Sequence, residues 1–263
     1  MSKYNFNIDS VSIEDNIIEK SMYDSKSLKQ TYIDFNYVDL GLSSGVLWGK
    51  YNLDVDCNKL NNAKDWYGGY YAWGELKPNK VCYSLKDYKF SKYMGYKTLS
   101  DNKLYGSKYK YSKYTSDNDN LCCTNDGIKV LLPEDTVVIQ RYGIHYDMPN
   151  DLDFTELMKG TKSKFIYNYN NVNGLNGVVL TSLKNKNSIF FPCAGYYFEY
   201  THNDEGNYGA YWSKNRAYIA PSYASYLGFS NRGKDNSLAM NIYESLRYKG
   251  YSIRPIYKND EQI

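Results

Sequence analysis

The chain has 263 residues, enough for one large domain whose core needs no disulfide or metal staples. Hydrophobic residues make up 42% of it and the net charge is +3, too mild for electrostatics alone to imply a nucleic-acid partner. Tyrosine is the unusual component, with 32 copies against 9 Phe and 4 Trp. Its apolar ring and polar tip suit both core and recognition surface, although an AT-rich coding sequence would also enrich Tyr, Asn and Lys.

The N-terminal stretch MSKYNFNIDS has no apolar signal-peptide region, and no run reaches membrane-span length. A protein made in a cytoplasm, and leaving it by cell lysis if at all, is therefore expected. Residues 1–36 read differently from the rest. Ile13, Ile17, Ile18 and Met22 fall at roughly helical spacing, which predicts a short amphipathic helix or an arm for attachment and oligomerisation.

From Tyr37 the pattern changes. Residues 37–40 and 46–49 read as strands around the Gly41 to Gly45 turn, and GGYYAWGE at 68–75 as another strand. Residues 80–125 are rich in Lys, Tyr, Ser and Asp with little period, which predicts a solvated, loop-rich insertion. Pro133, Glu134 and Asp135 open a helix that Gly143 ends. A second helix follows Asn150, with Asp151 and Asp153 at its positive end, Phe154, Leu157 and Met158 on its buried stripe, and Gly160 at its close. GVVLTSLKNKNSIFFP predicts a hairpin pairing 178–182 with 188–191. Further strands are expected at 210–213, 225–230, 237–243 and 251–256. Two helices among antiparallel strands make an α+β domain.

Seven blocks in order carry a resemblance: YVDLGLSSGVLW, GGYYAWGE, LLPEDTVV, YGIHYDMPNDLDFTELM, NGVVLTSLKNKNSIFFPCAGYY, YWS and GYSIRPI. Together they resemble the Fibrobacter succinogenes major paralogous domain family, abundant in Bacteroidetes and similar to the C-type-lectin-like and formylglycine-generating-enzyme folds. The resemblance covers residues 37–257, leaving the arm at 1–36 and a tail at 258–263 outside it. Where that family commonly has Trp-Gly and Arg-Met-Pro, this chain has Tyr142-Gly143 and Asp147-Met148-Pro149. The resemblance implies a C-type-lectin-like domain with its first and last strands close together. It implies no reaction, so function rests on the site.

No lectin-type calcium loop appears, and in SDNDN at 116–120 Leu121 breaks the calcium-loop pattern. The five cysteines, Cys57, Cys82, Cys122, Cys123 and Cys193, are odd in number, lack zinc-finger spacing and read as free thiols. Cys193 stands apart from the others and reads as a small buried hydrophobe rather than a copper ligand. His145 and His202 lie in no hydrolase motif, and Asp151 with Asp153 serves helix capping. No metal, no cofactor and no enzymatic activity are expected.

The stretch GAYWSKNRAYIAPSYASYLGFSNRG mixes Tyr, Ser, Asn, Gly and Arg, the composition of adaptable binding surfaces. It makes Tyr218, Tyr223, Tyr226 and Arg232 the candidate ligand-binding residues, while Trp212 is expected in the core. In C-type-lectin-like phage proteins the same region displays the ligand-binding face. The expected protein is a non-enzymatic phage virion component, a head or tail fibre or decoration protein. Other virion proteins would be met through the arm, in a homo-oligomer, and a host-surface glycan or protein through the domain, with no nucleic acid and no membrane insertion. A bacterial cell-surface adhesin of the same family is the alternative.

Overall fold

The computed structural model describes residues 37–78, 83–94, 109–115, 125–218, 220–231 and 237–259. The expected arm with Ile13, Ile17, Ile18 and Met22 lies outside them, as do Arg232, the SDNDN stretch and Cys82, Cys122 and Cys123. In chain order the strands are β1 (Tyr37–Asp39), β2 (Leu47–Gly49), β3 (Ser91–Tyr93), β4 (Tyr109–Tyr111) and β5 (Tyr146–Asp147). Then come β6 (Thr161–Ile166), β7 (Gly177–Ser182), β8 (Ser188–Pro192), β9 (Tyr196–Phe198) and β10 (Thr201–Asn203). The last are β11 (Tyr208–Arg216), β12 (Tyr223–Ser230), β13 (Ala239–Leu246) and β14 (Ile256–Tyr257). The two α-helices are α1 (Val137–Tyr142) and α2 (Asp151–Gly160). This is a mixed α+β fold, and its strand ladders among the described residues are antiparallel.

The first hairpin is set by its turn. Gly41 and Gly45 take φ of 61° and 73°, a region that only glycine enters without strain. β2 then pairs with β14 and β14 with β5, so the first and last described strands share one sheet of order β1-β2-β14-β5. β6-β7-β8 and β11-β12-β13 form two further sheets, and β3-β4 and β9-β10 two short ribbons.

α2 begins as its sequence dictates. The Asn150 side chain accepts from the backbone of Leu152 and Asp153, and Asp153 reaches back to the Asn150 N–H, a reciprocal capping box. The helix expected from Pro133 is split. A 3₁₀ turn (Pro133–Asp135) leads into Thr136, whose extended backbone caps α1, and Gly143 closes α1 at φ 89°. GGYYAWGE is no strand. Gly68 and Gly74 bend it at positive φ; Tyr71 exchanges a reciprocal pair of backbone hydrogen bonds with Tyr251, and the Trp73 N–H donates to the Arg247 carbonyl. The strand expected over 251–256 likewise shortens to β14, with Tyr251 and Ser252 making isolated bridges to Tyr71 and Tyr211.

The main core joins three sheets and α2. Leu40, Trp48, Phe154, Leu157, Leu180, Phe191, Leu227 and Ile256 are buried together. Trp48 lies 5.7 Å from the Phe154 ring and 6.2 Å from Phe191. Arg216, Arg247 and Arg254 are also buried, and the two that are fully inaccessible, Arg247 and Arg254, lie among rings instead of carboxylates. Arg254 sits 4.2 Å from the Phe191 ring and donates to the carbonyls of Gly49 and Phe190. Arg247 lies 4.2 Å from the Tyr111 ring, near Trp73 and Tyr88, and donates to the Lys113 and Tyr114 carbonyls. Arginine suits such sites because its flat cation stacks on aromatic faces and is weakly hydrated.

Arg247 corrects the expectation of a solvated insertion at 80–125. Tyr88, Phe90, Tyr111 and Tyr114 are all buried, and they anchor the described parts of that segment around the guanidinium. Asp147, standing at the first position of the Asp-Met-Pro departure, is also buried and takes ion pairs from Lys214 and Lys258.

Candidate ligand-binding face

β12 alternates between two faces, and β11 and β13 follow it in register. Tyr211, Leu227 and Phe229 point into the main core. The residues between them form the opposite face: Tyr208, Ala210 and Trp212 on β11; Tyr226, Gly228 and Ser230 on β12; Asn241, Tyr243 and Ser245 on β13. Two glycines let cross-strand rings cover the backbone. A β-carbon at Gly209 would collide with the Phe229 ring on the core side. One at Gly228 would collide with the Tyr208 hydroxyl and come within 2.7 Å of the Tyr243 ring on the outer side.

The outer face is built in two layers. Trp212 and Tyr251 form the lower layer, stacked with centroids 4.3 Å apart and both nearly inaccessible. Their polar tips are satisfied inside the protein: Trp212 Nε1 donates to the Tyr71 carbonyl, and the Tyr251 hydroxyl to Ser245. Tyr196, Tyr208, Tyr226 and Tyr243 form the upper layer. Tyr226 lies 4.7 Å from Tyr251, 5.9 Å from Tyr243 and 6.1 Å from Trp212, and its hydroxyl is 3.0 Å from that of Tyr208. Tyr196 stands edge-on to both Tyr208 and Tyr251.

Burial pushes the hydroxyls of Tyr196, Tyr208 and Tyr226 above the usual phenol value, so they stay neutral donors. In the Tyr208–Tyr226 pair one hydroxyl donates to the other. Tyr243 is 40% exposed, while Tyr196, Tyr208 and Tyr226 are half-buried. The face is apolar in its plane and polar at its edge, the pattern of small-molecule and glycan-sized sites.

Tyr226 is the candidate that falls inside this cluster, and Trp212 is in the core as expected. Tyr218 is 85% exposed beyond the end of β11, with Lys129 5.7 Å from its ring and its N–H on Glu244. Tyr223 opens β12 in register with Leu227 and Phe229, on the other side of the alternation from Tyr226. Tyr208, Tyr243, Tyr196 and Tyr251 escaped the sequence reading. Tyr208 and Tyr243 had a readable signal, since both alternate in phase with Tyr226 across paired strands. Tyr196 and Tyr251 had none, because only the tertiary fold brings them there.

Elsewhere, Asp135 is a buried carboxylate that accepts from Lys89, Lys113 and the Tyr114 hydroxyl. Burial opposes its charge, but the hydrogen bonds from Lys113, Lys89 and Tyr114 outweigh that, and its pKa lies below the ordinary 3.8. Burial pushes the Cys193 thiol up to about 12, so at neutral pH it is an unreactive thiol. Two shallow clefts, of about 490 and 600 Å³, each hold one carboxylate, Glu156 and Glu205 respectively. Among the described residues no group of three or more His, Cys, Asp and Glu side chains is placed to hold a metal ion, and no helix is long and apolar enough to cross a membrane.

Comparison with models of known protein families, with curated proteins and with solved structures finds no match to this chain.

Proposed function

We propose that this chain is a non-enzymatic virion structural protein of a phage, a head or tail fibre or decoration protein, whose C-type-lectin-like domain displays a ligand-binding face. The observation that carries this reading is the two-layered tyrosine surface on β11, β12 and β13. A sheet face that only closed a core would bury its side chains completely, as the opposite face buries Tyr211, Leu227 and Phe229. Here half-buried and exposed tyrosine rings instead rest on a fixed Trp212–Tyr251 floor, and the Tyr208 and Tyr226 hydroxyls pair with each other. Rigid anchors of this kind contribute contact area with little loss of side-chain entropy.

Two more features support the lectin-like reading. The sheet that joins β1, β2 and β14 brings the ends of the domain together, and the tyrosine face sits on a separate sheet. The arm at 1–36 supplies the virion attachment in this reading. Ile13, Ile17, Ile18 and Met22 pack against other virion proteins or other copies of the chain, because a lone helix of that length is marginal in water.

The test is a phage carrying Tyr226→Ala and Tyr243→Ala together. Purified particles should contain the variant chain at the wild-type level by mass spectrometry, yet adsorb poorly to host cells. Particles that lack the wild-type chain, or variant particles that adsorb normally, would overturn the proposal.

A further inference from the structure

We propose that the ligand of the tyrosine face is an acidic saccharide, whose sugar ring lies on Tyr226 and Tyr243 while its anionic group is held by Lys249. This inference rests on the reading of that face as a binding surface and names what it binds.

Lys249 follows β13 by three residues, and its ammonium lies 5.2 Å from the rings of both Tyr196 and Phe198. Tyr196 belongs to the upper layer of the face, so the lysine stands at the rim of the cluster. It differs from most other half-buried lysines of the domain. Lys113 meets Asp135, and Lys214 and Lys258 meet Asp147; only Lys110, on β4, shares with Lys249 the lack of an ion pair among the described residues. The Lys249 ammonium has two ring faces and, among the described residues, no hydrogen-bond acceptor and no carboxylate partner.

Burial lowers its pKa from the usual 10.5, and among the described residues no acid opposes that shift. A partly desolvated cation without a counter-charge is a cost to the free protein, and an incoming anion relieves it. Ring faces orient the ammonium but leave its protons unpaired.

The rest of the face agrees in sign. Its β11, β12 and β13 positions contribute Tyr, Trp, Ala, Gly, Ser and Asn and no acidic side chain. Asp204 acts on Tyr196, yet no carboxylate acts on Lys249. Burial keeps Tyr196, Tyr208 and Tyr226 neutral, and the sheet positions of the face carry no acidic side chain to repel a negative group. Flat rings with hydroxyls, Asn241 and Ser230 at their edges suit a ring-shaped polyhydroxylated ligand more than an extended acidic peptide, which needs an open strand edge or a groove.

Isothermal titration of the full chain decides the matter, with four probes: a hyaluronan hexasaccharide, a chondroitin sulfate hexasaccharide, neutral maltohexaose and poly-glutamate. One or both acidic saccharides should bind, separating carboxylate from sulfate recognition, with affinity that falls as salt rises. Lys249→Gln should weaken that binding by about tenfold or more, Lys249→Arg should retain most of it, and Tyr243→Ala should abolish it. Lys249→Gln should leave the melting temperature unchanged or raised, whereas a lysine serving only the fold would lower it.

If maltohexaose binds as well as the acidic probes and depends on Tyr243 alone, the acidic-ligand inference falls and the tyrosine face stands. Equal binding of poly-glutamate would show a charge-only site and overturn the saccharide assignment. Failure of all four probes, or binding indifferent to Tyr243→Ala, would overturn the inference, and host-cell adsorption of the double-tyrosine phage then judges the face separately.

Discussion

The two faces of the β11-β12-β13 sheet share one backbone and one register but differ in what they ask of their side chains. On the core face Leu227 and Phe229 are inaccessible and bear no polar atom, and Tyr211 is admitted because its hydroxyl donates to the Pro192 carbonyl. On the outer face the upper-layer rings are half-buried or exposed tyrosines, and the Tyr208 and Tyr226 hydroxyls meet each other. The difference teaches that aromatic content alone does not mark a core. What separates core from recognition surface is where the polar tip ends, because a buried hydroxyl without a partner costs free energy and a half-exposed one does not.

The largest expected effect lies in the unequal cost of truncation. Phe229→Ala should destabilise the domain by about 3–5 kcal/mol, as removal of a buried ring leaves a cavity. Tyr243→Ala should cost less than about 1 kcal/mol, because its ring is already partly hydrated. Urea unfolding checks both, and equal costs would erase the distinction between the faces.

The glycines sharpen the comparison at smaller scale. Gly209→Ala forces a β-carbon into the Phe229 ring inside the packed core, so a loss of about 1–3 kcal/mol is expected. Gly228→Ala meets the Tyr208 hydroxyl and the Tyr243 and Tyr226 rings, side chains that are half-buried or exposed rather than packed in the core. It should cost less stability, measured by thermal melting, while disordering the upper layer. A larger loss at Gly228 would mean that the outer face is packed as tightly as the core.

The smallest effect on the comparison is that of pH. The folded pKa of Asp135 is depressed, so its charge stabilises the fold above the ordinary value of 3.8, and that contribution is lost as pH falls through the lower folded value. Asp135→Asn should therefore flatten the acid limb of a stability profile measured by urea unfolding. The difference between Phe229→Ala and Tyr243→Ala should hardly change between pH 7 and pH 5, since neither ring contacts Asp135. A pH-dependent gap would mean that a titrating group couples to the sheet.

Local chemistry was legible in the sequence, and the elements it governs appear where expected. α2 is fixed by Asn150 and Asp153 at one end, and the β7-β8 hairpin by alternation around a Lys/Asn turn. β6 was missed although Thr161, Ser163 and Phe165 alternate with Lys162 and Lys164, because Gly160 read as the helix stop and no strand was expected before the hairpin at 178–191. In fact Gly160 is the last helical residue and the chain passes directly into the strand. GGYYAWGE has the composition of a strand but docks through isolated backbone contacts, Tyr71 with Tyr251 and Trp73 with Arg247, which no local pattern encodes.

The site was legible only in part, for the same reason. Tyr226 stood out by composition. Its neighbours come from positions 196, 208, 243 and 251, and the unpaired state of Lys249 depends on which carboxylates the fold keeps away. Arg247 and Arg254 were equally hidden, since an arginine surrounded by rings leaves no trace in periodicity.

The most direct test of the central claim, that the outer tyrosine face receives the ligand, is fluorine NMR of the chain carrying 3-fluorotyrosine, with resonances assigned by single Tyr→Phe changes. On titration with the hyaluronan hexasaccharide, the signals of Tyr226, Tyr243 and Tyr196 should shift together while that of Tyr211, on the core face, stays fixed. Shifts confined to Tyr67, beside the Glu205 cleft, or no shift at Tyr226 and Tyr243 under saturating probe, would contradict it.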